Sequence, residues 1–383
     1  MKAERCPSSS LAKYFLVIVL LSAGMVFTAG TDRLPAQAVR PWRLTSWSSP
    51  VGAQSLTYES LCGLRALLVF LNANQALGGR EVELFSLDLD DSRPEFISRL
   101  TNLVDQKKPD LAVGGAANAF PQLTANFFRR RGIFWFGPWS NSPGLIDQTQ
   151  EQNPLLLLPG EEEELEALLT YARRLLGPGR EVLLIHLDDL KSRYLLQLAQ
   201  KQAGRRDLTV RPLAVPAEFR DWGSLSADLD GVRAVILWVP PGQAAALVRT
   251  FKPRLSREVI WMTSSLNSPG QELTNMTGGQ WENMIFASVL NPSSAISPTY
   301  EQVIRKYGLP GLNLDYQTYL GFAQGQLLAR VLNSQPQNFR AVFPETSAQG
   351  TLLYRPDMKE GVFERNFYLA QSDRLGGWRP LPQ

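Results

Sequence analysis

Histidine is almost missing from this chain of 383 residues, with His186 as its single example. One imidazole with no cysteine nearby supplies neither a His/Cys zinc set nor a Ser-His-Asp hydrolase engine, so His186, at the end of a strand-like run, reads as structural. Also missing are a G-x-S-x-G elbow, a Walker A loop and a G-x-G-x-x-G after a strand, and Gly114-Gly115 opens no phosphate loop of known spacing. Cysteine is scarce too. Of the two, Cys6 lies near the start and Cys62 in the apolar run Leu61 to Leu71, where a free thiol acts as a small buried hydrophobe. Charge of one sign is not in excess: the net of +3 implies no polyanion partner and argues against nucleic acid. Neither a tandem repeat nor a low-complexity tract is found.

What is present begins with an export pattern. Lys2, Arg5 and Lys13 form a positive region, Tyr14 to Phe27 an apolar one, and Ala36-Gln37-Ala38 a small-residue cleavage site, with Thr28-Ala29-Gly30 as a competing cut. The apolar run is shorter than the roughly 20 residues that cross a bilayer. Residues 1–38 therefore read as a cleavable signal peptide and the mature chain as periplasmic. Cys6 precedes the apolar region and cannot serve as a lipid-modified cysteine. With Cys6 removed, Cys62 has no partner and no intramolecular disulfide forms. The mature remainder is longer than one hydrophobic core normally serves, which favours two lobes.

From Pro41 onward, short β-type runs alternate with longer amphipathic segments, the pattern of parallel sheets with crossover helices. In the first array, Trp42–Trp47, Glu81–Leu87, Leu111–Val113 and Ile133–Phe136 read as strands. Helices are expected over Tyr58–Gln75, Pro94–Asp105, with Ser92 as its N-cap, and Phe120–Arg130. A second array follows Pro154 to Pro159. Its strands are Val182–His186, Leu208–Leu213, Ala234–Trp238 and Val259–Met262, and its helices start at Glu161 and span Leu190–Ala203 and Gln243–Thr250. The acidic Glu161 to Glu164 suits a helix start better than a cation site. Later the chain returns through Met284–Leu290, with a linker over Asn291–Pro298 and helices over Tyr300–Tyr307 and Asp315–Leu332. Strands near Thr351–Tyr354 and Phe367–Leu369 come too late for a third domain and are expected to rejoin an earlier sheet. Two weak motifs stand apart. Asp88, Asp90 and Asp91 suggest calcium, but Arg93 occupies the position where an EF-hand needs glycine, and a strand-end turn is the simpler reading. Asn275-Met-Thr277 matches a glycosylation acceptor on a surface loop. The fold class is α/β with two doubly wound parallel-sheet lobes.

Several stretches carry a family resemblance. Ser48-Ser-Pro-Val-Gly-Ala53, the apolar helix ending Leu71-Asn-Ala-Asn74, Gly78-Gly-Arg-Glu-Val-Glu-Leu84 and Asp88-Leu-Asp-Asp-Ser-Arg-Pro94 resemble the start of periplasmic binding proteins of the branched-chain amino acid type. Lys107 to Gly115 and Gly132 to Gly144 are similar to the family's next two units, and Leu314 to Gly325 to its late helix. The resemblance runs from about Leu44 to Leu369. It implies a type I fold with three crossing segments, lobe one over 39–157 plus 290–345 and lobe two over 158–289 plus 346–383. A monomer would close on a small-molecule ligand and deliver it to an ABC permease, with no cofactor and no metal.

Carried onto this chain, the resemblance places Ser48 and Ser49 at the end of the first strand and Asn118 where the family usually has a carboxylate-binding Ser. Trp139, Ser140 and Asn141 lie on the loop that holds a ligand's carboxylate. Trp47 and Trp238 join them at strand ends, and such aromatics suit an apolar, planar or cationic ligand unless the indoles plug the cleft or pack between loops. The departures are also specific. Trp139 stands where a small residue is usual, and Ser265 falls near the acid that commonly pairs with an ammonium. Asp188 or Asp189 is left as a substitute cation partner. An ordinary branched-chain amino acid is therefore not the expected ligand. The principal expectation is a solute receptor. The alternative is a periplasmic interaction or regulatory module that has lost its small ligand, and an enzyme is not expected. Trp139→Ala and Asn118→Ala are expected to weaken binding without unfolding the chain.

Overall fold

The structure, a computed structural model, describes residues 40–48, 56–89, 93–116, 119–140, 142–146, 153–216, 218–219, 221–229, 231–290, 298–336, 339, 354–359, 362–365, 367–374 and 377–381. Outside these lie the expected signal segment, Ser49, Asn118, Asn141, Asp90 to Ser92 and most of the 291–298 linker.

The first sheet is β1 (Trp42–Ser48), β2 (Val82–Asp88), β3 (Leu111–Val113) and β4 (Phe134–Phe136), all parallel in the order β2-β1-β3-β4. Parallel neighbours need a crossover, and helices α1 (Leu56–Ala73), α2 (Phe96–Lys107) and α3 (Pro121–Arg130) supply it. Helix α2 begins two residues beyond Pro94, with Glu95 at its N-cap and no side-chain cap. Alternation along the strands sorts the sheet into two cores. Leu44, Leu111, Val113 and Phe136 face one, whereas Trp47, Ala112 and Trp135 face the other.

The second sheet has seven strands. After α4 (Glu161–Leu176) come β5 (Arg180–Leu187), α5 (Leu190–Gly204), β6 (Leu208–Val215), β7 (Ala234–Trp238), α6 (Pro241–Phe251), β8 (Ile260–Thr263), the short α7 (Gln271–Met276) and β9 (Ile285–Ser288). Its order is β13-β12-β9-β8-β7-β5-β6, where β12 (Tyr368–Ser372) pairs antiparallel with β9 and β13 (Trp378–Pro380) antiparallel with β12. The late strand thus rejoins an earlier sheet, as its position implied. Hairpin β10 (Tyr354–Lys359) with β11 (Val362–Arg365) forms, among the described residues, a two-stranded sheet of its own, a few residues later than the run expected there.

Helices α8 (Pro298–Tyr307) and α9 (Tyr316–Asn333) close the arrangement. Helix α9 crosses α1 at two glycines. A Cβ on Gly63 would lie 1.9 Å from the Thr318 carbonyl oxygen, and one on Gly321 1.7 Å from that of Ser60, so the two backbones meet where no larger residue fits. The N-terminal end of α9 also reaches the second sheet. The Tyr316 ring stands edge-on to Phe286 at 5.1 Å and to Trp378 at 4.9 Å. Phe286, Tyr368 and Ala370 of the second sheet consequently share a core with Leu44 and Leu64 of the first lobe.

Candidate functional site

Open parallel sheets leave their ligand crevice outside the carboxyl ends of their strands. In the first lobe those ends carry Ser48, Gly114-Gly115-Ala116 and Gly137-Pro138-Trp139-Ser140. Both glycines after β3 have left-handed backbones, with φ of +61° and +79°. A Cβ on Gly114 would lie 2.5 Å from the Trp139 ring, and one on Gly115 2.5 Å from the Trp47 ring. The glycine pair is therefore held between two indoles.

That sandwich corrects the expectation that Trp47 faces the crevice. Trp47 is fully buried and stacks on Phe128 at 5.5 Å beside Phe96 and Trp135, while its Nε1 donates to the Ala116 carbonyl at 2.5 Å. Trp139 is buried on the opposite side of the sheet. Its Nε1 donates to Gln324 Oε1 of α9 at 2.9 Å, and Gln324 Nε2 in turn donates to the Gly137 carbonyl at 2.9 Å. This geometry corresponds to packing between loop and helix, the alternative the aromatics had left open. Ser48 and Ser140 are fully buried at their strand ends, and the Ser142 amide donates to Ser140 Oγ at 3.3 Å.

In the second lobe the crevice edge follows β5, β7 and β8. Asp188 is exposed and pairs with Arg193 at 3.3 Å, whereas Asp189 caps α5 by accepting from the Ser192 amide at 2.7 Å. Trp238 ends β7, half-buried against the core beneath α4 and α5. His186 is buried on β5, with Nδ1 2.7 Å from the Leu187 carbonyl oxygen, a structural placement. Asn275 lies exposed on α7, a short helix and not the loop expected for it.

Ser265 leads to an acid that the sequence assigns only to a helix start. Its backbone amide donates to both oxygens of Glu164, at 3.3 and 3.2 Å. Glu164 is fully buried, and burial, outweighing its hydrogen bonds to Ser265 and Ser264, pushes the carboxyl up to about 8. The signal was present in the helix period. Residues 161, 164, 165, 168, 169 and 172 form the buried stripe of α4, so two of the four glutamates stand on an apolar face. Glu163 has a different task and caps α4 by accepting from the Gly160 amide at 2.7 Å.

A polar seam joins the lobes beside this carboxyl. Ser60 of α1 donates to Gln317 Oε1 of α9 at 3.1 Å, and Gln317 Nε2 donates to Ser268 Oγ in the turn after β8. The Glu272 amide of α7 donates to Glu59 Oε1 of α1 at 3.4 Å.

Two parallel-sheet lobes, joined by a shared helix end, define the class of two-lobed binding proteins. The chain belongs to the periplasmic binding protein family, whose model matches residues 44–373. No curated protein matches it. Similar solved structures include a fatty acid ABC transporter substrate-binding protein from Thermomonospora curvata, 16% identical with a TM-score of 0.72 over 92% of this chain and 94% of that one. A branched-chain amino acid ABC transporter protein from Thermus thermophilus with bound valine is 15% identical, with a TM-score of 0.72 over 90% and 97%. A solute-binding protein from R. palustris in complex with 4-hydroxybenzoate is 12% identical, with a TM-score of 0.69 over 90% and 96%.

Proposed function

We propose that the chain is an exported solute receptor that captures a small carboxylic acid lacking an α-ammonium and presents it to an ABC permease. The observation that carries this reading is the family match across 44–373. The three neighbours described serve or hold a fatty acid, valine and 4-hydroxybenzoate, which share only the carboxylate. Against an α-ammonium stands the acid beside Ser265: Glu164 is neutral over much of the physiological range and spends its oxygens on the Ser265 amide. Asp189 is committed to its helix cap, and Asp188 to Arg193. The lobes divide at 39–157 plus 290–345 and 158–289 plus 346–383, residues 1–38 are removed on export, and the chain acts as a monomer without catalysis.

Native mass spectrometry of the chain isolated from a periplasmic extract, followed by calorimetry with 4-hydroxybenzoate, medium-chain fatty acids, valine and leucine, tests this reading. One bound carboxylic acid per chain and no heat with valine or leucine are expected. A ligand without a carboxylate, or binding of valine as tight as that of any other acid, overturns the ligand class.

A further inference from the structure

The seam between the lobes holds a carboxyl in an unusual position. Glu59, in the first turn of α1, leaves its own lobe and meets the N-terminus of α7 in the second. The N-cap of α7 is Gly270, which has no side chain with which to satisfy the first amides of its helix. Glu59 does this from outside by accepting from the Glu272 amide, and a Cβ on Gly270 would collide with Glu59 Oε2. The glycine is thus explained by the incoming carboxyl, a two-sided fit between different lobes. Beside it, Gln317 bridges Ser60 and Ser268 across the same seam.

Among the described residues, the titratable groups that act on or feel Glu59 are acidic or neutral. They are Asp315 at the start of α9, Glu272 on α7, Tyr300 on α8 and, one turn along its own helix, Cys62. Asp315 is fixed in place because it caps α9 by accepting from the Thr318 amide at 2.9 Å.

We infer that Glu59 is a proton-dependent clasp between the lobes, holding the Gly270–Glu272 turn against α1 while its carboxyl is neutral and releasing it when the carboxyl ionises beside Asp315 and Glu272. Burial, then Asp315, push the Glu59 carboxyl up to about 9, outweighing the hydrogen bond from the Glu272 amide, which by itself favours the ionised form. A folded-state value above the unfolded one contributes stability that is fully present below the usual carboxylate range and is lost as pH rises through about 9. The clasp is therefore closed at neutral pH and opens in mild alkali. This step goes beyond the receptor reading and requires no ligand, only the two lobes and their shared seam.

Hydrogen exchange of the ligand-free chain tests it, read as protection of the Gln271 and Glu272 amides from pH 6 to 10. In the wild type, protection at these amides is expected to fall about tenfold per pH unit above the titration. In Glu59→Gln, which keeps the shape and the acceptor oxygen, it should change less than about twofold over the same range, by the same linkage. Asp315→Asn retains the helix cap and removes the carboxyl that, after burial, raises Glu59 most, so its step should shift to lower pH and shrink. A wild-type chain with flat protection, or a Glu59→Gln chain with the wild-type step, overturns the clasp. The receptor reading fails separately: a chain that shows the pH step but binds no carboxylic acid keeps the clasp, whereas ligand binding with flat protection removes the clasp alone.

Discussion

Glu164 loses contact with water on the buried stripe of α4 and keeps its proton near neutrality because burial outweighs the hydrogen bonds it receives. Its folded value of about 8 lies above the unfolded one, so its contribution is complete below the usual carboxylate range and disappears as pH rises through 8. The thermal midpoint of the wild type should therefore decline from pH 5 to 9, and Glu164→Gln should flatten part of that decline. An equally steep decline in the variant would show that this carboxyl does not titrate as described. Trp139 presents the opposite case, an apolar ring whose direction the sequence leaves open. Its burial and its bond to Gln324 make Trp139→Ala a cavity-forming change costing about 3–5 kcal/mol, measurable by urea unfolding. The sequence placed Trp139 on the loop after the fourth strand, where the structure has it. Whether the ring turned outward to a crevice or inward over Gly114 depended on a glycine loop and a helix more than a hundred residues away.

Helices α1 and α9 show how much one missing side chain sets at the level of elements. Since a Cβ at Gly321 would fall 1.7 Å from the Ser60 carbonyl oxygen, Gly321→Ala must force the pair apart, at a cost on the order of 1–3 kcal/mol. Gly204 at the end of α5 has nothing within 4 Å, and Ala there should be neutral or stabilise by up to about 1 kcal/mol through helix propensity. Urea midpoints of the two variants should therefore move in opposite directions or differ by at least that span; a similar small shift for both would contradict the close crossing. The long helices and the buried parallel strands were legible because each carries several turns or a full apolar run of its own periodicity. Helix α7 and strands β11 and β13 were missed because segments of three to six residues hold too little of any period, and only their partners stabilise them.

For the molecule as a whole, the two lobes share core residues around the N-terminal end of α9. Strand β12 covers β9, and Tyr368, Ala370 and Trp378 join the packing around Tyr316. Ending the chain after Arg365 should therefore do more than remove an edge. It exposes the paired side of β9 and part of the shared core, and the product should aggregate or lose cooperative unfolding by calorimetry. A truncated chain that unfolds in one transition at the wild-type midpoint would refute this. By itself the sequence determined that two βα arrays follow one another, that one histidine and two cysteines form no recognisable zinc-ligand pattern, and that the chain resembles periplasmic binding proteins, because local periodicity and residue type carry that information. Only the tertiary structure decided that Trp47 and Trp139 grip the Gly114-Gly115 turn, that Glu164 meets Ser265, and that Glu59 reaches Gly270. Each of those contacts joins residues far apart in sequence, and burial and charge act through distances that exist only once the lobes are packed.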